Sequence, residues 1–247
     1  MELYFLMAGL GAMMMIGVDT TPPPFNPTNI AGCQLWLRAD LGVTQIATIV
    51  SAWADQSGTG DSNKNFTSSG NPTITANNSS FNNQSTINFN ATLSQTFTSG
   101  TWASSLPNPY TIFMVVDDTP ASLCFADYGY SQAAEFALVD VGDGHYGYSA
   151  AGSTVPNITV SFTTPQAIAI QNNVGSSAAW ASTITAGATG GFSAFTIKQI
   201  RLGAATYYND LTGSIAEVIV YDSVLSTTNF TTIMNYLGTR YNITIGA

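Results

Sequence analysis

The chain has 247 residues and a net charge of −9, from five Lys and Arg against fourteen Asp and Glu. Charged side chains are only 8% of the residues, against about 25% in an average soluble domain, so cations are too scarce to neutralise a phosphate backbone and a nucleic-acid partner is excluded. The length and an aromatic content of 11% exclude disorder and allow a full core without metal or disulfide staples. The remaining polarity is Ser, Thr, Asn and Gly, a surface met on secreted, cell-surface and virion proteins.

Residues 1–17, MELYFLMAGLGAMMMIG, are apolar except for Glu2. As a helix they would span about 25 Å, slightly short of the roughly 30 Å of a bilayer core. The segment has no Lys or Arg at its start and a poor cleavage site at its end, which weakens a signal-peptide reading. The expectation is an assembly arm formed by Leu3, Tyr4, Phe5, Leu6, Met7, Leu10, Met13, Met14, Met15 and Ile16. Its methionines would supply a deformable contact surface. A membrane anchor and an uncleaved signal are the alternatives. Residues 18–29 then carry Pro22, Pro23, Pro24 and Pro27 and read as an extended, semi-rigid linker.

The body, residues 30–247, reads as short strands between turns. CQLWLRA alternates through Cys33, Leu35 and Leu37, and TIFMVVDD is the continuous apolar run of a strand buried on both faces. STINFN, EFALVDV, AIAIQN, TIKQIRLG and GSIAEVIVYD are further strands. DQSGTGDSN, SSGNP, DVGDG, AGATGG and YYNDLTG are turn chemistry between them. The stretch 56–109 is the richest in Ser, Thr, Asn and Gly and the hardest to assign. Near the end, Ser226 is a good N-cap, and Phe230, Ile233, Met234 and Leu237 recur at helical spacing before Gly238. This predicts a short helix over 227–237, followed by YNITI as a last strand. The fold class is therefore all-β, an antiparallel β-sandwich or jelly roll with one short helix near the C-terminus. Trp36, Trp53, Phe113, Val115, Ile215, Val218 and Val220 are the expected core.

Chemistry is sparse. Cys33 and Cys124 are the only cysteines, either bridged or two buried thiols, and the lone His145 cannot build a histidine metal cluster. Glycoside hydrolysis needs two carboxyl groups about 5–10 Å apart. The only glutamates are Glu2, Glu135 and Glu217, and Glu217 lies inside an apolar strand, where it needs partners such as Arg240 or a nearby hydroxyl. Asp117 and Asp118 end a strand and point to opposite faces. Gly142 and Gly144 form a hairpin without the helix of a phosphate loop. No enzyme activity is expected. Tyr128, Tyr130, Asp143, His145, Tyr146 and Tyr148, in two turn regions, combine rings and polar groups and are the candidate glycan-binding residues.

Trp36-Leu37, Ala39-Asp40 and the turn Trp53-Ala-Asp55-Gln-Ser57-Gly58 resemble the opening of LamG-like jelly-roll domains of the concanavalin A-like lectin/glucanase superfamily. GSIAEVIVYDSVLSTTNFTTIMNYLGTRYNI resembles their terminal strand, turn and helix, and the likeness extends over about 30–245. The Glu-x-Asp-x-x-Glu strand of the superfamily's glucanases is missing. The resemblance implies a lectin-like body as carried by phage virion proteins: a capsid decoration, fibre or spike component. Its partners would be other virion proteins or copies of itself, with host-surface glycans as ligands. A cell-surface or secreted adhesion module is the alternative. No cofactor is expected. Calcium, which many LamG-like domains bind, would fall to Asp55, Asp61, Asp140 and Asp143, but these lack regular ligand spacing and read as turn formers.

Overall fold

The computed structural model describes residues 25–118, 125–127, 136–140, 145–150, 153–154, 158–159, 164–173, 175–190, 196–204 and 210–247. The strands begin with β1 (Cys33–Arg38), β2 (Val43–Ile46), β3 (Ile49–Trp53), β4 (Phe66–Ser69), β5 (Thr73–Asn78) and β6 (Gln84–Phe89). Next come β7 (Thr96–Ser99), β8 (Tyr110–Asp118), β9 (Phe125–Asp127), β10 (Phe136–Asp140), β11 (His145–Ala150) and β12 (Ser153–Thr154). The last are β13 (Ile158–Thr159), β14 (Gln166–Asn172), β15 (Ser177–Ala181), β16 (Ala188–Gly190), β17 (Ile200–Leu202) and β18 (Gly213–Tyr221), followed by helix α1 (Thr227–Tyr241).

Two antiparallel sheets face each other. The first runs β16-β15-β14-β8-β18, and the far edge of β18 is shared by β1, along Glu217–Tyr221, and β6, along Gly213–Ile215. The second runs β2-β3-β4-β7-β17-β9, and the two join through β5, which pairs along β6 and, at Thr73, with Ile49 of β3. A small third sheet pairs β10, β12 and β13 with β11, and β10 lies beside β9. This is the jelly-roll sandwich that the strand pattern predicts.

The sandwich interior is apolar and draws on both sheets: Leu35, Leu37, Trp53, Phe66, Phe97, Met114, Ile200, Val218 and Val220 are all buried there. The outer face of the first sheet is covered by α1. Phe113, Val115, Ile219 and Tyr221 pack there against Phe230, Ile233, Met234, Leu237 and Tyr241. The apolar run of β8 is thus divided by its pleat, with Ile112, Met114 and Val116 facing the sandwich and Phe113 and Val115 facing the helix. All seven expected core residues are buried, but Trp36, Phe113 and Val115 belong to the helix layer rather than the sandwich interior.

Two irregularities set the details. The register of β1 against β18 shifts between Cys33 and Leu35, so Cys33 faces the helix layer and Leu35 the interior. The simple alternation through Cys33, Leu35 and Leu37 is corrected by that extra residue. A second shift, between Ile215 and Glu217 of β18, sends both Ala216 and Glu217 out of the interior. Glu217 then faces helix α1, where its bonding partners lie.

The helix starts as predicted, with the Ser226 hydroxyl accepting from the Asn229 N–H at 3.3 Å. It does not stop at Gly238. It continues to Tyr241 and ends at Asn242, whose left-handed φ of 54° lets its N–H bond the Gly238 carbonyl. Gly238 serves packing instead, since a Cβ there would stand 2.7 Å from Ile245 Cγ1 and 2.9 Å from the Ile243 carbonyl. Nor is YNITI a strand: Tyr241 is helical, and only Gly246 makes an isolated bridge, to Thr183.

The stretch 56–109 holds β4 to β7, of which β6 is the expected STINFN strand, and three short 3-10 turns. Asp61, Asn78 and Asn90 each cap one turn by accepting the N–H two residues on, as Asn26 does before Pro27–Asn29. The abundance of Asn thus has a backbone role.

Candidate functional site

The polar centre of the helix layer is Glu217, which is fully buried. Its Oε1 accepts from Trp36 Nε1 at 2.6 Å and from the Tyr236 hydroxyl at 2.9 Å. Its Oε2 accepts from the Tyr241 hydroxyl at 2.8 Å, and Arg240 Nε stands 3.9 Å away. Burial pushes the Glu217 carboxyl above the usual range, opposed by these donors. Burial beside this carboxyl also raises the phenols of Tyr236 and Tyr241. The expected partners, Arg240 or a hydroxyl, are thus both present, the hydroxyls in direct contact.

Above this centre lies a charged pair of elements. Asp40 bridges two guanidinium groups, taking Arg38 Nε at 2.6 Å on Oδ1 and Arg240 Nη2 at 2.8 Å on Oδ2. Arg38 lies over the Trp36 ring at 5.2 Å, and Arg240 over Tyr241 at 5.5 Å. Trp36 and Arg38 are two apart on a strand, and Tyr236 and Arg240 four apart on a helix, so each pair shares one face.

Two adjoining depressions open here, of about 630 Å³ and 540 Å³, and share Phe25, Tyr236 and Arg240 on their walls. The first adds Trp36, Arg38 and Gln56; the second adds Asn82, Gln84 and Asn235. Phe25 and Tyr236 meet with ring centres 5.2 Å apart, and Phe25 is seated just before Pro27, whose carbonyl accepts the Tyr221 hydroxyl at 2.8 Å. Half-exposed rings beside amides and guanidinium groups can stack on an apolar sugar face and bond its hydroxyls.

The Trp53-to-Gly58 turn is a scaffold. Asp55 Oδ1 accepts the N–H groups of Trp36 and Ser57, both at 2.9 Å, and Oδ2 takes the Ser57 hydroxyl at 2.5 Å. Asp61 accepts the N–H groups of Asn63 and Ala103. Both carboxylates therefore hold backbone, the role that turn chemistry assigns them. Nearby, buried Lys64 bonds Gln34 Oε1 at 3.0 Å and stands 4.8 Å from the Trp102 ring, and burial lowers its pKa. Cys33 is a free, buried thiol whose pKa burial pushes up to about 12. Asp117 is half-buried, paired across to Ser214, and raised by burial.

Of the residues that the sequence suggested for glycan binding, Tyr128, Tyr130 and Asp143 lie outside the described residues. His145, Tyr146 and Tyr148 are on β11, opposite Thr159, Asp140 and Leu138 respectively, and only their backbone register is described. The whole arm, with Glu2, and Glu135 and Cys124 also lie outside the described residues. Sequence reading missed Trp36, Arg38, Tyr236 and Arg240 as the walls of one site. The signal was their paired spacing, and the fact that these two arginines are among only five cations.

No protein-family model matches the sequence, and no curated protein does. Solved structures do match in fold. Domain 4 of AbnA, a GH43 extracellular arabinanase from Geobacillus stearothermophilus solved in complex with arabinotriose, aligns with TM-score 0.58 and 15% identity, over 82% of this chain and 98% of that one. The binding domain of botulinum neurotoxin serotype D/C gives 0.62 and 10%, over 86% of this chain and 53% of that one. The binding domain of Paraclostridial Mosquitocidal Protein 1 gives 0.60 and 10%, over 85% and 53%. At these identities the likeness is one of fold, and the chain spans about half of each toxin domain.

Proposed function

We propose that the chain is a non-enzymatic glycan-binding jelly roll of a virion, specifically a capsid decoration, fibre or spike component of a bacteriophage. Its body faces outward, and residues 1–17 dock it to other virion proteins or to copies of itself. The observation that carries the glycan reading is the pair of depressions around Tyr236 and Arg240, where rings, amides and guanidinium groups converge. The neighbours add support: one was solved with arabinotriose, and two are named as binding domains. The LamG-like resemblance supports the virion setting, and the low-charge Ser, Thr and Asn surface agrees with it.

Binding without hydrolysis is supported by the state of Glu217. Trp36, Tyr236 and Tyr241 engage its oxygens and it has no exposed surface, so it cannot reach a glycosidic oxygen. Asp40, the nearby carboxylate, is held between two cations. A second reading, a secreted or cell-surface adhesion module, is favoured by the near-complete coverage of one domain of an extracellular arabinanase.

The test is a panel of bacterial and host-surface polysaccharides incubated with the full chain. Binding without release of reducing ends is expected. Release that vanishes on Glu135→Gln or on substitution of one turn aspartate would make the protein a depolymerase. For the arm, Leu6→Asp with Met14→Asp is expected to abolish joining to the particle or oligomer; unchanged joining would contradict its docking role.

A further inference from the structure

The depressions described above carry a charge asymmetry. Arg38 and Arg240 are two of only five cations on a chain of net charge −9. Among the described residues that line the two depressions, none is Asp or Glu. Asp40 balances one of the two guanidinium charges, and Glu217 is sealed below by Trp36, Tyr236 and Tyr241. The side chains that line the depressions are thus cationic or neutral, on an otherwise acidic protein, while the two nearby carboxylates stay off their walls.

The hydrogen bonding points the same way. Arg240 gives Nε to the Tyr241 hydroxyl at 3.3 Å and Nη2 to Asp40, and it stands on the wall that the two depressions share. Arg38 gives Nε to Asp40 and lines the first depression beside Tyr236. Asp40 holds both guanidinium groups, so a ligand meets them already oriented. Guanidinium nitrogens so held suit a carboxylate, while the Tyr236 and Phe25 rings and the Asn82 and Asn235 amides suit the rest of a sugar ring.

We infer that the site selects glycans that bear a carboxylate, uronate or sialate units, with the acid group on Arg38 and Arg240 and the ring against Tyr236. This inference rests on the reading of the depressions as the glycan site. It adds the ligand class that the fold does not give.

The experiment is calorimetric titration of the full chain with four probes: trigalacturonate, 3′-sialyllactose, neutral galactotriose and lactose. At least one acidic probe is expected to bind roughly tenfold or more tightly than its neutral counterpart, as a charge-assisted bond gives. The preference is expected to shrink as salt is raised, and Arg240→Gln is expected to erase it. Thermal unfolding of the variant separates loss of preference from loss of fold, and the comparison of acidic with neutral probes on the unaltered chain does not depend on the variant. The acidic probe that binds identifies the source of the carboxylate. Equal binding of acidic and neutral probes overturns the acid selectivity and leaves the glycan reading standing. Binding of none of the four, nor of any polysaccharide in the panel, overturns both.

Discussion

Strands β8 and β18 face two interiors of different character. Towards the second sheet, Ile112, Met114, Val116, Val218 and Val220 enter an apolar layer with Trp53, Phe66 and Phe97. Towards α1, Phe113, Val115, Ile219 and Tyr221 enter a layer that also holds a buried carboxylate with three side-chain donors. The difference is one of specification. An apolar interior fills by volume and tolerates exchange, whereas a buried carboxylate accepts only an arrangement that satisfies it. The helix layer thus fixes where Trp36, Tyr236 and Arg240 stand, and they form the walls of the proposed site.

The largest expected effect tests whether both layers belong to one cooperative unit. Phe113→Ala, in the helix layer, and Phe97→Ala, in the sandwich, should each destabilise by about 3–5 kcal/mol in urea unfolding. A loss below about 1 kcal/mol for Phe113 would show that α1 is dispensable to the fold.

A smaller effect separates polar from apolar packing. Tyr241→Phe keeps the ring but removes the 2.8 Å bond to Glu217 Oε2, and should cost about 1–3 kcal/mol. Phenylalanine at Tyr110, which faces the sandwich, tests a different network: its hydroxyl accepts from Asn172 at 2.8 Å.

The pH dependence distinguishes the layers again. Tyr236, Tyr241, Trp36 and Arg240 face Glu217, and its folded pKa is raised by burial above the unfolded value. Its contribution is therefore present in full below the ordinary carboxylate pKa and is lost as pH rises through the folded value. Compared with Glu217→Gln, the unaltered chain should lose stability as pH rises above the ordinary carboxylate range, in a series of unfolding midpoints. A gain over that rise would mean that the donors outweigh burial.

The strand pattern made the sandwich legible, because period-two runs and turn chemistry are local signals. The run TIFMVVDD announced burial on both faces, and Ser226 announced the helix start. Other features depend on contacts far along the chain. Gly238 looks like a helix stop because its Ile245 contact is not visible locally. Cys33 looks in phase with Leu35 because a register shift has no signature in one strand. Glu217 could be read as a buried carboxylate in need of partners, but the site around it could not, since Trp36 and Glu217 are 181 residues apart and Asp40 and Arg240 are 200 apart. The 3-10 turns were missed because Asn caps resemble generic loop composition.

The smallest expected effect tests that last reading. Asn90→Ala removes the acceptor for the Thr92 N–H and hydroxyl, at 3.0 and 2.7 Å, and should cost about 1 kcal/mol. No measurable change would show that the Asn90 bonds to Thr92 do not hold the turn.

The most direct measurement of the central claim is a nitrogen–proton NMR titration of the full chain with a polysaccharide fragment from the panel that binds. The four tryptophan indoles are natural reporters. Trp36 lines the proposed site and bonds Glu217, whereas Trp180 is buried against Phe230 with ring centres 4.5 Å apart. The account predicts that the Trp36 indole and the Arg38 and Arg240 Nε–H signals move with saturation, while the Trp180 indole stays still. Saturable binding that leaves Trp36, Arg38 and Arg240 unmoved would contradict it and put the glycan site elsewhere on the sandwich.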